Sequence, residues 1–204
     1  PNEFNEFSYK YMRANGTAHG VGFYFTNNKE IAEGYYKPGG MMFEGYVSIQ
    51  KPLSTDTLNI TRSQLKKLLK KLDPTGENAH LSNFGDVNYE GYNRVLETAL
   101  DSLMEYNDND VDLISEVINT GGGNWQEDYQ IVTSILGYDG IMVDKGDGDK
   151  YFIPFHPTQI KSVYNNGNFS LYDPNINYQL KPNFTDEMTA YYSGQTNMIM
   201  TAWD

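Results

Sequence analysis

A block of helical periodicity separates two sets of strand-like segments, and this order constrains the fold more than any other feature of the sequence. Before the block, residues 19–26 and 41–50 are rich in aromatic and β-branched residues and end at asparagine or proline signals. From about 61 to 136, apolar residues recur at helical spacing. Strand-like segments then return at 141–143, 151–155 and 159–164. We therefore predict an α+β fold whose helices are grouped to one side of the sheet or inserted into it.

The helical block begins with a basic segment whose spacing indicates an amphipathic helix. Thr61 is placed to cap it, and four leucines predict its buried face: Leu65, Leu68, Leu69 and Leu72. Its lysines fit either a solvated face or a nucleic-acid patch: Lys66, Lys67, Lys70 and Lys71. The net charge of −12 argues against non-specific nucleic-acid binding, because such binding depends on neutralising phosphates. Further helices are predicted at about 90–106, 110–119 and 125–136.

Several classes of protein and of site are excluded by what the sequence lacks. There is no cysteine, so disulfides and thiolate chemistry are impossible. No apolar run approaches a membrane span, no signal peptide opens the chain, and the three histidines lack metal-ligand spacing. The acidic segment 144–149 lacks the spacing of ligand residues found in a 12-residue calcium loop and is predicted to be a solvated hairpin loop. Because the chain begins at Pro1, we expect it to be part of a longer or processed protein.

One segment remains as a candidate for chemistry, HGVGFYFT and the short helix NNKEIAEGYY that follows it, with Asn27 or Asn28 placed to cap the helix. Gly20 and Gly22 would let the backbone approach a ligand closely. Tyr24 and Tyr35 lie 11 residues apart across a strand and a helix and could hold a flat ring between them. The same pattern also fits a tight turn beside a core strand. The residue types leave both interpretations open.

This segment, GVGFYFTNNKEIAEGYY, resembles the nicotinamide-pocket segment of ADP-ribosyltransferases of the poly-ADP-ribose polymerase and diphtheria-toxin type. The blocks MMFEGYVSIQKPL, SNFGDVNYEGYNRVLETAL, NDNDVDLI, LGYDGIMV and FHPTQIKSVYNNGNFS are similar, in the same order, to those of transferases in phage polyvalent and head-associated proteins. The resemblance covers about residues 1–178 and leaves 179–204 as a tail or docking segment. It implies a split, mainly antiparallel sheet with the helical block, about 61–136, inserted between its halves.

The resemblance also implies roles for individual residues. Tyr24 and Tyr35 would stack on the nicotinamide ring of NAD⁺, with Tyr24 part of the catalytic set, and Ala32 would lie against the carboxamide. The rest of the pocket wall would be Gly20, Gly22, Phe25 and Thr26. NAD⁺ would be the substrate, and no metal is implied.

Two elements of the family pattern have no obvious counterpart in the chain. The family's His-Gly-Ser/Thr motif, whose histidine holds the ribose, would precede Pro1. Lys150 and Tyr151 occupy the neighbourhood of the catalytic glutamate. Gln159 could orient the ribose or could be a strand-end amide that satisfies the backbone, and an aspartate of the acidic loop is a further alternative. We therefore expect the 204-residue chain to turn over NAD⁺ poorly.

The implied function is transfer of ADP-ribose to a host macromolecule, or hydrolysis of NAD⁺, by a phage-encoded toxin or effector. Such a protein would be carried in the virion or delivered to the host cytoplasm, with phage particle proteins as further partners and no membrane association. Two other classes stay open. One is a structural or binding module of the phage particle that keeps the fold without the chemistry. The other is a carbohydrate- or nucleotide-binding domain of another fold, suggested by the 17 tyrosines.

Overall fold

The computed structural model describes residues 4–11, 19–36, 41–120, 125–165, 170, 172–177 and 197–202. These residues form two compact units. The first unit contains the described residues within Pro1–Gly16, Gly22–Pro52 and Asp139–Asp204, and the second those within Thr17–Val21 and Leu53–Tyr138. The strands are β1 (Phe25–Thr26), β2 (Met41–Val47), β3 (Pro52–Ser54), β4 (Gly140–Gly146), β5 (Asp149–Pro154), β6 (Ile160–Ser162) and β7 (Asn197–Ala202). The α-helices are α1 (Lys29–Gly34), α2 (Arg62–Leu72), α3 (Ala79–Ser82), α4 (Val87–Glu90), α5 (Tyr92–Tyr106), α6 (Asp110–Thr120) and α7 (Trp125–Leu136).

The first unit is built on an antiparallel sheet. Six of its strands lie in the order β4-β5-β1-β7-β2-β6, and neighbouring strands run antiparallel. Strands β4 and β5 form a hairpin, and the turn between them contains Asp147 at a φ of 54° between two glycines at positive φ. The acidic segment 144–149 therefore forms the end of a hairpin.

One face of this sheet carries an aromatic core. The ring of Phe7 lies at its centre, with ring centroids 5.0 to 5.7 Å from four other phenylalanines: Phe4, Phe23, Phe25 and Phe43. Most of these pairs meet edge to face, the geometry that the ring quadrupole favours. Phe25 pairs with Phe152 across β1 and β5, and both rings belong to the core. The alternation of β-strand side chains thus directs the phenylalanines of FYF into the core.

The second unit is helical, as the spacing of its apolar residues predicts. Helix α2 begins with a capping box in which Thr61 and Gln64 satisfy each other's backbone N–H groups. Its four leucines are buried and Lys67, Lys70 and Lys71 are exposed, which confirms the amphipathic helix. Among the described residues, no helix combines the length and apolarity needed to cross a bilayer.

The fold class is α+β, as predicted. The described residues between 62 and 136 contain helices α2–α7 and no strand. Within the segment predicted to be a tail or docking segment, residues 197–202 form β7 between β1 and β2. The remainder of the predicted tail, 179–196 and 203–204, lies outside the described residues. β7 pairs with β2 over six residues, so its position depends on partners about 155 residues earlier in the chain.

Candidate functional site

The tyrosine-containing segment forms a short strand followed by the six-residue helix α1. Asn28, one of two asparagines predicted to cap this helix, accepts hydrogen bonds from two backbone N–H groups of the first turn, at 2.9 and 3.2 Å. Ala32 is the buried residue of the helix, and Tyr35 is its C-cap. The N-cap bonds set where the helix begins, and its length of six residues places Tyr35 at the opposite end.

Strand β1 and helix α1 together form a strand–helix corner. Two asparagines attach this corner to the β4–β5 hairpin. The Asn27 amide donates from Nδ2 to the Gly148 carbonyl and accepts from the Lys150 N–H, both at 2.8 Å. Asn28 Nδ2 donates to Asp149 Oδ1 at 2.9 Å. The side chain of Asn27 thus continues the β1–β5 hydrogen-bonding ladder for one more residue. These side-chain hydrogen bonds hold the corner against the hairpin in addition to the pairing of β1 with β5 and β7.

Tyr35 and Tyr151 come together at this corner. The side chain of Tyr35 is 48 % exposed, and its hydroxyl hydrogen-bonds with that of Tyr151. Tyr151 pairs with Thr26 across β5 and β1, and Lys145 Nζ lies 5.4 Å from the centroid of its ring. Burial, and then the hydrogen bond with Tyr35, raise the pKa of Tyr151 above its ordinary value. The Tyr151 hydroxyl therefore remains protonated at neutral pH and acts as a neutral hydrogen-bonding group.

Tyr24 immediately precedes β1 and is half-buried. Its neighbours Phe23 and Phe25 are both in the aromatic core, so strand alternation directs Tyr24 to the other face, the face of Thr26 and Tyr151. The predicted gap between the rings of Tyr24 and Tyr35 stays a prediction.

The rest of the predicted pocket wall has structural functions in this fold. The resemblance assigns Phe25 to the wall, whereas its ring is only 2 % exposed and lies in the aromatic core. Thr26 is buried, and its Oγ1 accepts a hydrogen bond from the Asn28 N–H at 3.1 Å. Strand alternation turns the Phe25 side chain into the core, and its place in the pocket wall stays a prediction.

The two glycines of the turn differ in their surroundings. Gly20 has a φ of 116°, a conformation that favours glycine, and belongs to the second unit. Gly22 belongs to the first unit, where a Cβ would lie 2.4 Å from Ile153 Cγ2 and 2.9 Å from the Pro154 carbonyl oxygen. Close packing against β5 is sufficient to explain a glycine at position 22.

Gln159 has its amide engaged by the backbone. Its Nε2 donates to the carbonyl oxygens of Ser48 at 2.6 Å and Asp139 at 2.8 Å, and its Oε1 accepts from the His156 N–H at 2.8 Å. Both amide protons are used, and the residue is only 7 % exposed. Of the two alternatives left open by the sequence, this geometry favours the backbone-satisfying amide over the ribose-orienting one.

The position expected for a catalytic glutamate lies at the start of β5. Asp149 is the nearest carboxylate in sequence, but it accepts the hydrogen bond from Asn28. Lys150 Nζ lies 3.7 Å from an Asp144 carboxylate oxygen, and Tyr151 is neutral as described above. In the part of the chain that the structure describes, no group of three His, Cys, Asp or Glu side chains is arranged to hold a metal ion.

Sequence reasoning did not identify the roles of Asn27 and Tyr151. The available signal for Tyr151 was the strand pattern KYFIP, which predicts its face but not the strand beside it. Asn27 was recognised only as a candidate cap. Its bonds reach residues more than 120 positions away, a distance at which local patterns carry no information.

Comparison with known proteins bears on the whole of this arrangement. The model of a family described as ADP-ribosyltransferase in polyvalent proteins matches residues 1–169 of the 204-residue chain. No curated protein and no solved structure gives a significant match. The matched range includes the strand–helix corner, the helical unit and the β4–β5 hairpin. The chain therefore belongs to the family of ADP-ribosyltransferases found in polyvalent proteins.

Proposed function

We propose that this chain binds NAD⁺ with its nicotinamide ring between Tyr24 and Tyr35 and transfers ADP-ribose to a host macromolecule. The observation that carries the proposal is the strand–helix corner, where Tyr35 hydrogen-bonds with Tyr151 and strand alternation predicts that Tyr24 lies on the face of Thr26 and Tyr151. Membership of a transferase family supports NAD⁺ as the substrate, because ADP-ribosyltransferase domains act on NAD⁺.

In the proposed reaction the bond between C1′ of the ribose and the nicotinamide nitrogen breaks. Its electron pair stays with nicotinamide, which leaves as a neutral molecule. A nucleophile of the acceptor then bonds to C1′ and loses its proton to solvent. Tyrosine faces favour the nicotinamide ring of the substrate, which is positively charged, through cation–π attraction. Stacking on both sides would also orient the bond that breaks.

The acceptor is proposed to be a macromolecule of the host, encountered after delivery by a phage particle. The net charge of −12 favours an acceptor whose recognition does not depend on neutralising a phosphate backbone. Phage particle proteins are proposed as further partners. Hydrolysis, in which water replaces the acceptor, is the simplest form of the same reaction.

A second candidate function is a binding module that holds NAD⁺, or another partner, without turnover. The specific observation in its favour is the start of β5, where the nearest carboxylate, Asp149, is bonded to Asn28 and Tyr151 is neutral. A positively charged transition state usually draws its largest stabilisation from a fixed opposite charge. Without such a charge the same pocket could bind but would react slowly.

The test compares NAD⁺ binding and nicotinamide release for the parent chain and three variants. Tyr24→Ala and Tyr35→Ala should each weaken binding about 5- to 150-fold, the range expected from loss of one stacked ring. Tyr36→Ala is the matched control, since Tyr36 is 50 % exposed and adjacent to Tyr35. Circular dichroism would verify folding of each variant.

The outcomes of this test distinguish the transferase from the binding module. Binding with nicotinamide release supports the transferase, and binding without release supports the second candidate. If saturating NAD⁺ leaves the melting temperature and the tyrosine fluorescence of the parent unchanged, the nicotinamide-pocket proposal is wrong.

A further inference from the structure

Tyr35 lies at the end of a short helix and is held there by one residue of β5. Helix α1 has six residues, about 9 Å, and so depends on its surroundings for a fixed position. With its side chain 48 % exposed, Tyr35 would sample several rotamers in the absence of a partner. Its hydroxyl is instead hydrogen-bonded to that of Tyr151.

Both ends of α1 are attached to the same short stretch of β5. The N-cap, Asn28, bonds to Asp149, and the C-cap, Tyr35, bonds to Tyr151. Asp149 and Tyr151 are two residues apart on one strand, so they project from the same face about 6.6 Å apart. These two contacts therefore tie both ends of the helix to one short stretch of β5.

Tyr151 is itself well held. It pairs with Thr26 in the β1–β5 register, and Lys145 Nζ lies 5.4 Å from the centroid of its ring, within cation–π range. The hydrogen bond to the Tyr151 hydroxyl therefore restricts the exposed side chain of Tyr35.

We propose that Tyr151 is a positioning residue that holds the Tyr35 ring in the orientation required to stack on nicotinamide. The inference rests on the proposed function and adds a residue that the family resemblance assigns to no such role. Tyr151 acts before the ligand arrives, by reducing the number of orientations that Tyr35 must lose on binding. Its protonated hydroxyl keeps this contact throughout the neutral pH range.

The experiment is a double-mutant cycle between the two hydroxyls. Tyr151→Phe and Tyr35→Phe each remove one hydroxyl and keep the ring, so stacking area and sheet packing are retained. The dissociation constant for NAD⁺ is measured by calorimetry, and kcat and KM are measured by nicotinamide release. Tyr36→Phe is the control, because it removes a hydroxyl from the neighbouring exposed tyrosine.

Each single variant should raise the dissociation constant for NAD⁺ about 2- to 12-fold, the effect of one hydrogen bond. The double variant should bind no more weakly than either single variant, since the same bond is lost in all three. Tyr36→Phe should bind like the parent. Weaker binding by both single variants, with non-additive effects in the double variant, is not expected from a residue that only stabilises the fold.

Four results would overturn the assignment. Additive effects would show that the two hydroxyls act independently, and a fall in kcat alone would show that Tyr151 acts on the reaction itself. Unchanged binding by Tyr151→Phe, while Tyr35→Ala weakens it, would overturn the inference and leave the proposed function intact. Absence of NAD⁺ binding by the parent would overturn both.

Discussion

Replacement of Gln159 by alanine tests most directly which of its two possible roles is correct. The substitution removes three hydrogen bonds to backbone groups, those to the Ser48 and Asp139 carbonyls and from the His156 N–H. At about 1 kcal/mol for each bond, the free energy of unfolding should fall by about 3 kcal/mol. For a chain of this size, that corresponds to a decrease in melting temperature of about 6–12 °C.

The bonds of Gln159 join two segments of the chain that the helical block separates in the sequence. Ser48 lies just before the block and Asp139 just after it. The Asp139 carboxylate reinforces the same bridge by accepting the N–H groups of Gln50 and Lys51, at 2.8 and 2.7 Å. We therefore expect the loss to be seen in global unfolding, measured by urea titration with circular dichroism detection.

Two further variants separate the hydrogen bonds from the volume of the side chain. Gln159→Glu keeps the size but cannot donate, so it should destabilise the chain at least as much as Gln159→Ala. Gln50→Ala removes an exposed amide whose Nε2 donates to Ser48 Oγ at 3.0 Å, and it should change stability by less than about 0.5 kcal/mol. If both Gln159 variants unfold like the parent while nicotinamide release falls, the backbone role is wrong and the amide serves the ligand.

Three other predictions concern the stability of the fold. Asp110→Ala should lower the free energy of unfolding by about 3 kcal/mol, because the buried Asp110 carboxylate accepts the N–H groups of residues 59–60 at 2.7 and 2.9 Å; an unchanged urea midpoint would contradict this. Burial lowers the pKa of Lys161 from 10.5 to about 8, so between these values the unfolded chain binds more protons than the folded chain. The free energy of unfolding, measured by urea titration, should therefore rise with pH across this window by at most about 1.4 kcal/mol per pH unit. If a Lys161→Met variant shows the same rise, Lys161 is not its source. Gly22→Ala should destabilise the chain by about 1–3 kcal/mol, since the new Cβ would lie 2.4 Å from Ile153 Cγ2, and an unchanged melting temperature would show that β5 yields easily.

The sequence by itself determined the elements whose causes are local. The leucines of α2 recur at helical spacing, and its cap and capping-box partner, Thr61 and Gln64, are three residues apart, so the helix could be predicted from one short window. The same holds for Asn28 at the start of α1 and for the hairpin around segment 144–149. The order of strands, helical block and strands was sufficient to predict an α+β fold, because each helix or strand carries its own periodicity.

Only the tertiary structure decided which of these elements and side chains meet. Residues 197–202 have no local pattern that distinguishes a tail from a strand, and their position between β1 and β2 comes from pairing with distant residues. Gln159 satisfies carbonyls 20 and 111 residues away, and Tyr151 reaches Tyr35 only because β5 lies beside β1. Phe25 likewise faces the core because β1 pairs with β5. Hydrogen bonds and sheet pairings between distant residues form only when the chain has folded, so a local pattern can nominate a functional residue but cannot show what its side chain contacts.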